Sequence, residues 1–111
     1  MEGEAQRQGR FALAERFTRL KDSTLQSYLE DVEPEIRRAA ALAIAVRGSK
    51  PLVPDLIRRL SDSEEEVQRA AVTALKELTG QNFGPAPGAT ASARKEAIAS
   101  WLKWWKENGR E

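Results

Sequence analysis

A segment of 25 residues occurs twice in this chain, at residues 25–49 and again at residues 56–80. The two copies align without a gap at a constant offset of 31 residues. A fixed period of this length is typical of stacked repeats, in which each unit buries its apolar face only against its neighbours. The matching pairs are Leu25 and Leu56, Leu29 and Leu60, Asp31 and Asp62, Glu33 and Glu64, Glu35 and Glu66, Ile36 and Val67, Arg38 and Arg69, Ala39 and Ala70, Ala40 and Ala71, Ala43 and Ala74, and Ile44 and Leu75.

The composition argues against several classes of function. The chain has 111 residues, 18 basic and 17 acidic, and its net charge of +1 is far from the strongly basic balance of a dedicated nucleic-acid binder. It has no Cys and no His, which removes thiolate nucleophiles, imidazole bases and the usual zinc ligands. It also has no phosphate-binding loop, dinucleotide fingerprint or nucleophile elbow. We therefore expect no enzymatic activity, no cofactor and no metal.

The longest strongly apolar stretch, residues 39–46, is far too short to cross a bilayer. The first ten residues lack the charged-then-apolar order of a secretory signal. These two features predict a soluble cytoplasmic protein without membrane insertion.

The apolar residues follow a helical period throughout, and no segment alternates with the period of a strand. Pro34 and Pro51 are placed to open helices, and Gly48 and Gly80 to close them. We expect one domain over residues 1–111. Its predicted parts are a capping helix at 4–22, a first repeat at 23–49, a second repeat at 50–80, a Pro/Gly-rich loop at 81–91 and a Trp-rich capping helix at 92–108.

Two local details complete this prediction. Ser61 or Ser63 is expected to cap the second long helix, because serine is a preferred N-cap residue. The irregular stretch at residues 80–92 contains three Gly and two Pro. We expect it to pack as an extended segment in place of the first helix of a third repeat.

The second helix of each unit follows an acidic turn and has an apolar-then-polar pair followed by regularly spaced alanines. The residues are Asp31, Ile36-Arg37, Ala40 and Ala43-Ile44, and then Asp62, Val67-Gln68, Ala71 and Ala74-Leu75. This pattern resembles HEAT repeats of the bacterial type, which also occur in phycobilisome-lyase-like proteins and are armadillo-like helical folds.

The resemblance covers about half of the chain and implies an all-α fold. The expected architecture is a short α-solenoid (an α-α superhelix) of antiparallel helix pairs, with about five to six helices and no strands. It implies a scaffold that binds other proteins, although the family also includes chromophore-lyase subunits and DNA glycosylases. The family's inter-repeat aspartate–arginine ladder transfers only to Asp31, Arg37 and Asp62, because Gln68 stands where the family has Arg.

At 100° per residue, the apolar residues from Ile36 to Val46 fill an arc of about 200° on the first long helix. Since the second helices of HEAT repeats line the concave face, the two outward stripes should lie there side by side. We predict a partner-binding patch that suits an acidic peptide or helix. A solvated face that binds nothing remains the alternative. The outward residues are Arg37, Arg38, Ala41 and Ala45 on the first helix and Gln68, Arg69, Val72 and Lys76 on the second.

The last helix carries Ile98, Trp101, Leu102 and Trp105 on one stripe, which we expect to cover the open end of the second repeat. Trp104 lies about 100° off that stripe. Two interpretations of Trp104 stay open: it packs with Phe83 under the Pro/Gly-rich loop, or it is exposed as a secondary interface.

Three functions remain at this point. The first is a non-enzymatic protein–protein interaction module acting on a partner of unknown identity. The second is nucleic-acid binding through the arginines, which the balanced charge makes unlikely. The third is a structural spacer or self-association domain of a larger protein, so the chain is expected to be a monomer or a weak homo-oligomer. The arginines in question are Arg37, Arg38, Arg58, Arg59 and Arg69.

Overall fold

The computed structural model describes residues 13–109, and within this range it contains α-helices, short 3₁₀ turns and loops but no β-strand. Residues 13–17 are helical. Short 3₁₀ turns at Lys50–Leu52 and Arg59–Ser61 flank the third of the helices that follow. Those helices are α1 (Asp22–Tyr28), α2 (Pro34–Arg47), α3 (Val53–Arg58), α4 (Glu65–Thr79) and α5 (Ala91–Asn108).

Local signals set the ends of the two long helices. Pro34 occupies the first turn of α2, where its missing N–H leaves no hydrogen bond unmade. Gly48 follows α2 with φ of 70°, and Gly80 follows α4 with φ of 73°. Because this left-handed conformation strains residues that carry a Cβ, glycine is the residue expected at these two positions. The carboxyl ends predicted for both helices, at Gly48 and Gly80, are confirmed.

The helices form a short α-solenoid, as expected. α1 packs on α2, α3 packs on α4, and the most extensive helix contact joins α2 to α4. The second helices of the two repeats are therefore neighbours in one layer. The last helix, α5, packs mainly on α3. α5 therefore occupies the position that the first helix of a third repeat would have. The Pro/Gly-rich loop at residues 80–92 was expected in that position, and this expectation is corrected.

Alanines allow α2 and α4 to approach each other closely. Ala40, Ala41, Ala71 and Ala74 are all fully buried in one core cluster. Larger apolar side chains from α1, α3 and α5 complete the same cluster. Burial of this kind is the main favourable term in folding, at roughly 25 cal/mol per Å² of apolar surface.

The buried arc of α2 differs from the predicted one. Val46, which was expected in the core, is 76% exposed, whereas Ala41, which was expected outside, is fully buried. The arc is rotated by about 60° toward Arg37 and Ala41 at 100° per residue. The rotation follows from the close packing of α2 on α4. This packing buries the side of α2 that carries Arg37 and Ala41, which the sequence pattern had predicted to be exposed.

The predicted capping helix at 4–22 is only partly described. Its start lies outside the described residues, and within them the helix stops at residue 17 and gives way to a turn at 18–20. Phe17 is buried, and its ring lies 5.0 Å from that of Tyr28, between centroids. Arg47 at the end of α2 donates a hydrogen bond to the Thr18 carbonyl. The described part of this segment therefore packs on the first repeat.

No helix in the described part of the chain is both long enough and apolar enough to span a bilayer.

Candidate functional site

A buried ion pair joins the two repeats. Arg37 of α2 donates from Nε to one carboxylate oxygen of Asp62 at 2.8 Å and from a terminal nitrogen to the other at 3.0 Å. Its remaining terminal nitrogen donates to the backbone carbonyls of Asp31 and Val32. The side chains of Arg37 and Asp62 are 10% and 2% exposed. Bidentate pairs of this kind are both strong and geometrically specific, so this pair fixes the register of one repeat on the next.

The surroundings shift the pKa of both partners toward the charged forms. Burial alone would raise the pKa of Asp62, but hydrogen bonds from Arg37 and the Glu64 amide and the charges of Arg37 and Arg59 outweigh it. The net result is a pKa of Asp62 below its usual value. The hydrogen bond with Asp62 raises the pKa of Arg37, against the opposing effect of burial. The pair is therefore fully ionised at neutral pH.

The lowered pKa of Asp62 predicts a pH dependence of stability. A carboxyl group whose pKa is lower in the folded state stabilises the fold above its unfolded pKa of about 3.9, and this contribution is lost as the pH falls through the folded value. We expect the difference in unfolding free energy between the wild type and Asp62→Asn to be largest near neutral pH and to shrink below about pH 4. Urea titrations of both proteins between pH 7 and pH 2.5 measure it. A difference that does not change over this range would contradict the prediction.

The turn before each long helix uses an aspartate. One carboxylate oxygen of Asp31 accepts a hydrogen bond from the Glu33 amide, and Asp62 does the same for the Glu64 amide. These contacts take the place of the predicted cap: neither Ser61 nor Ser63 caps α4, whose N-cap residue is Glu64 and has no side-chain cap. Asp62 thus serves both the turn before α4 and the buried pair.

The aspartate–arginine ladder between repeats ends at Gln68. Its side-chain amide donates to the Asp62 carbonyl at 2.6 Å, just as Arg37 donates to the Asp31 carbonyl one repeat earlier. The next aspartate in the series would stand at position 93, which is Ala93. Because an arginine at position 68 would have no such carboxylate to pair with, glutamine makes the backbone contact without burying an unpaired charge.

The neighbouring second helices enclose a groove of about 320 Å³ on the surface of the solenoid. Arg38 and Arg69, which occupy equivalent positions in the two repeats, both line it. Arg69 is paired with Glu65 one turn earlier at 3.1 Å, whereas Arg38 makes no ion pair with any residue in the range 13–109. The lining residues are Arg38, Leu42, Glu65, Glu66, Arg69, Ala70 and Thr73.

The other residues of the predicted patch lie elsewhere. Arg37 is held in the buried ion pair and Ala41 is fully buried, so neither offers a surface to a partner. Ala45 and Val72 are half-buried and pack against the core. Lys76 is exposed but does not line the groove. Gln68 is occupied by its contact with the Asp62 carbonyl, as described above.

Five of the groove residues were not predicted from the sequence to belong to a binding surface. Leu42 was assigned to the core arc, and the glutamates were assigned to the first turn of α4 with no further role. The sequence did contain a signal for the residues on α4. Positions 69, 70 and 73 follow position 66 by three, four and seven residues, and residues with this spacing share one helix face. The missed residues are Leu42, Glu65, Glu66, Ala70 and Thr73.

Trp101 is more deeply buried than the other two tryptophans of α5. Trp101 is fully buried, donates from its indole nitrogen to the Gly84 carbonyl at 2.7 Å and meets the ring of Phe83 edge-on. Trp105 is half-buried against the core. Phe83 thus pairs with Trp101 and not with Trp104, which corrects the packing interpretation. Leu102, expected on the core stripe, is 49% exposed.

Trp104 and Trp105 line a second cavity, of about 730 Å³, at the carboxyl end of α4. Within residues 13–109, no group of three or more acidic side chains is arranged to hold a metal ion.

Comparison with known proteins supports the repeat architecture. A family model described as HEAT repeats matches residues 22–99, which is well over half of the chain. No curated protein and no solved structure gives a significant match. The matched range includes both second helices, the buried ion pair and the groove.

Proposed function

The chain belongs to the HEAT-repeat family, and on this basis we propose that it is a non-enzymatic interaction module that binds a partner protein in the groove between α2 and α4. HEAT repeats generally serve as protein-interaction scaffolds. Solenoids bind along the surface that their stacked helices share. In this chain that surface contains the groove around Arg38, and Arg38 is the observation on which the proposal chiefly rests.

Arg38 is the group in the groove best suited to a partner. It is half-buried and has no carboxylate partner among residues 13–109, so a bound acidic side chain would form a charge-assisted hydrogen bond with it. Leu42 and Ala70 supply apolar surface beside it. A short segment with one acidic residue next to a small apolar residue matches this arrangement.

A uniformly acidic partner is a poorer match than the sequence suggested. Glu65 and Glu66 line the groove together with Arg38 and Arg69, so its formal charge is balanced. Like charges placed opposite each other disfavour a complex. We therefore narrow the predicted acidic peptide to a segment in which a single carboxylate faces Arg38.

Nucleic-acid binding has less support, because most of the arginines that suggested it already have carboxylate partners. Arg37 and Arg59 contact Asp62, Arg58 contacts Asp55, and Arg69 contacts Glu65. Phosphate binding at these positions would require the arginines to leave those partners. Of the five arginines considered, Arg38 alone has no ion pair within the described range.

Charge reversal at Arg38 tests the proposal. We expect Arg38→Glu to weaken binding of the partner about tenfold or more, as interface arginines often do. Lys103→Glu is the matched control, since Lys103 is exposed on α5 and outside the groove. Partners captured by the wild type would be identified by mass spectrometry, and their affinities for the three proteins measured by calorimetry.

Two outcomes would count against the proposal. Equal affinities for the wild type and Arg38→Glu would exclude the groove as the binding surface. If no bait captures a protein, the spacer or self-association role gains support, and sedimentation of the wild type over a range of concentrations would then separate those two.

A further inference from the structure

The cavity at the carboxyl end of α4 is larger than the groove, and nothing in the proposed function uses it. Its volume is about 730 Å³, within the range of about 300–1,000 Å³ that is usual for binding pockets. Its walls come from the turn between α2 and α3, the end of α4 and the end of α5. The lining residues are Lys50, Pro51, Val53, Leu78, Thr79, Trp104, Trp105, Asn108 and Gly109.

The cavity exists because α5 packs on α3 and leaves a gap beside the end of α4. Val53 and Leu78 form its buried floor, and the indole rings of Trp104 and Trp105 form a half-buried wall. Trp104 does not belong to the core cluster. Tryptophan is strongly enriched among the anchors of protein interfaces, so a half-buried pair of indoles on a concave surface indicates a candidate binding site.

The polar groups around the cavity leave one charge available. The Thr79 hydroxyl donates to the Leu75 carbonyl, and the side-chain amide of Asn108 donates to the Trp104 carbonyl. Lys50 is exposed at the rim and forms no ion pair with any other residue in the range 13–109. Because none of the residues in the range 13–109 that line the cavity is acidic, the charge of this part of the chain favours an anionic group at the Lys50 end.

We propose that this cavity is a second protein-binding site, which takes an aromatic side chain of a partner segment with a carboxylate beside it. The aromatic ring would lie against Trp104 and Trp105, where offset or edge-on contacts between rings are favourable. The carboxylate would face Lys50. The exposed rim at Lys50, Pro51 and Asn108 leaves the cavity open along one side, which suits a passing chain.

This site is separate from the groove. On α4 the groove is lined by residues between Glu65 and Thr73 and the cavity by Leu78 and Thr79, and no described residue lines both. Thr73 lies five residues before Leu78, about 7.5 Å along the helix axis. Binding at one place can therefore succeed where binding at the other fails, so the two proposals are tested independently.

Three matched small probes test the chemistry of the cavity: 3-phenylpropionate, 3-phenylpropionamide and 3-phenylpropylamine, each followed through the tryptophan indole N–H signals by NMR. We expect the signals of Trp104 and Trp105 to shift saturably, with dissociation constants of about 1–10 mM for molecules of this size. The signal of Trp101 serves as an internal control, because that indole is buried and bonded to Gly84. The acid should bind about two- to fivefold more tightly than the amide, and the amine least tightly.

Variants assign the contacts. Lys50→Gln should remove the preference for the acid over the amide, and Trp104→Ala should weaken all three probes. Lys103→Gln and Arg38→Glu should leave the affinities unchanged, because neither residue lines the cavity. The proposal is overturned if no probe saturates, if Lys50→Gln keeps the preference for the acid, or if the shifts concentrate on Trp101.

A peptide pair then tests the source of the ligand. Acetyl-Gly-Phe-Asp-Gly-amide should shift the signals of Trp104 and Trp105 and should bind more tightly than acetyl-Gly-Phe-Asn-Gly-amide. The difference between the two peptides should disappear in Lys50→Gln. If the free acid binds while the Asp peptide does not, the cavity takes a small aromatic acid, and the proposal of a protein partner is wrong.

Discussion

Replacing Asp62 by alanine is expected to lower the free energy of unfolding by about 3–5 kcal/mol. The variant leaves the guanidinium of Arg37 almost fully buried and without its only carboxylate partner among the described residues. An uncompensated buried charge costs several kcal/mol, because the interior cannot replace the lost hydration. Since small domains are stable by only about 5–15 kcal/mol, this is a large part of the total and should lower the melting temperature by more than about 10 °C. Urea and thermal denaturation followed by circular dichroism measure the loss.

Asp31→Ala is the matched control for this prediction. Asp31 makes the same contact with the amide two residues later, but its carboxylate accepts no hydrogen bond from any arginine in the range 13–109. Its removal should therefore cost about 0.5–1.5 kcal/mol, the usual contribution of one hydrogen bond. If the two variants proved equally unstable, the turn contact would explain both, and the buried pair would contribute nothing of its own.

The sequence predicted the fold well because its strongest signals are local or periodic. The 31-residue offset indicated two stacked units, and Pro34, Gly48 and Gly80 marked helix ends through backbone preferences that do not depend on the rest of the chain. The family ladder indicated that Arg37 and Asp62 would meet. These predictions needed no knowledge of how far each helix is rotated about its own axis.

The partner-binding patch was harder to predict, because it depends on that rotation. Alanine is often buried, but as the best helix former it is also common on exposed helix faces, so Ala41 and Ala45 gave no reliable indication of which side of α2 meets α4. A charged residue such as Arg37 was assigned to solvent by default, although its partner Asp62 lies in the next repeat. Helical periodicity shows which residues share one face of a helix. Only the packing of α2 on α4 decides whether that face is buried or exposed.

The tryptophans show the same limit at the end of the chain. Helical spacing placed Trp101 and Trp105 on the inner side, and the structure agrees. Helical spacing could not show that α5 packs on α3 and leaves a gap beside the end of α4. The position of α5 depends on the path of the Pro/Gly-rich loop between α4 and α5. The cavity beside Trp104 is a consequence of this tertiary arrangement and leaves no local trace in the sequence.

Trp101→Ala is expected to lower the free energy of unfolding by about 3–5 kcal/mol. Trp101 is fully buried, so its removal opens a large cavity between α5 and the core. The variant also takes the donor away from the Gly84 carbonyl and the ring contact away from Phe83, which lies 4.9 Å off between centroids. Because these contacts hold the Pro/Gly-rich loop on α5, the loop should lose protection from proteolysis together with the helix. Denaturation and limited proteolysis of the variant measure both effects.

Two further substitutions separate the contributions of the tryptophans. Trp101→Phe keeps most of the buried ring but loses the hydrogen bond to Gly84, so it should cost about 1–3 kcal/mol. Trp104→Ala removes a ring of similar size from a half-buried position outside the core cluster, and it should cost no more than about 1 kcal/mol. A Trp104→Ala protein as unstable as Trp101→Ala would show that the ring of Trp104 supports the core.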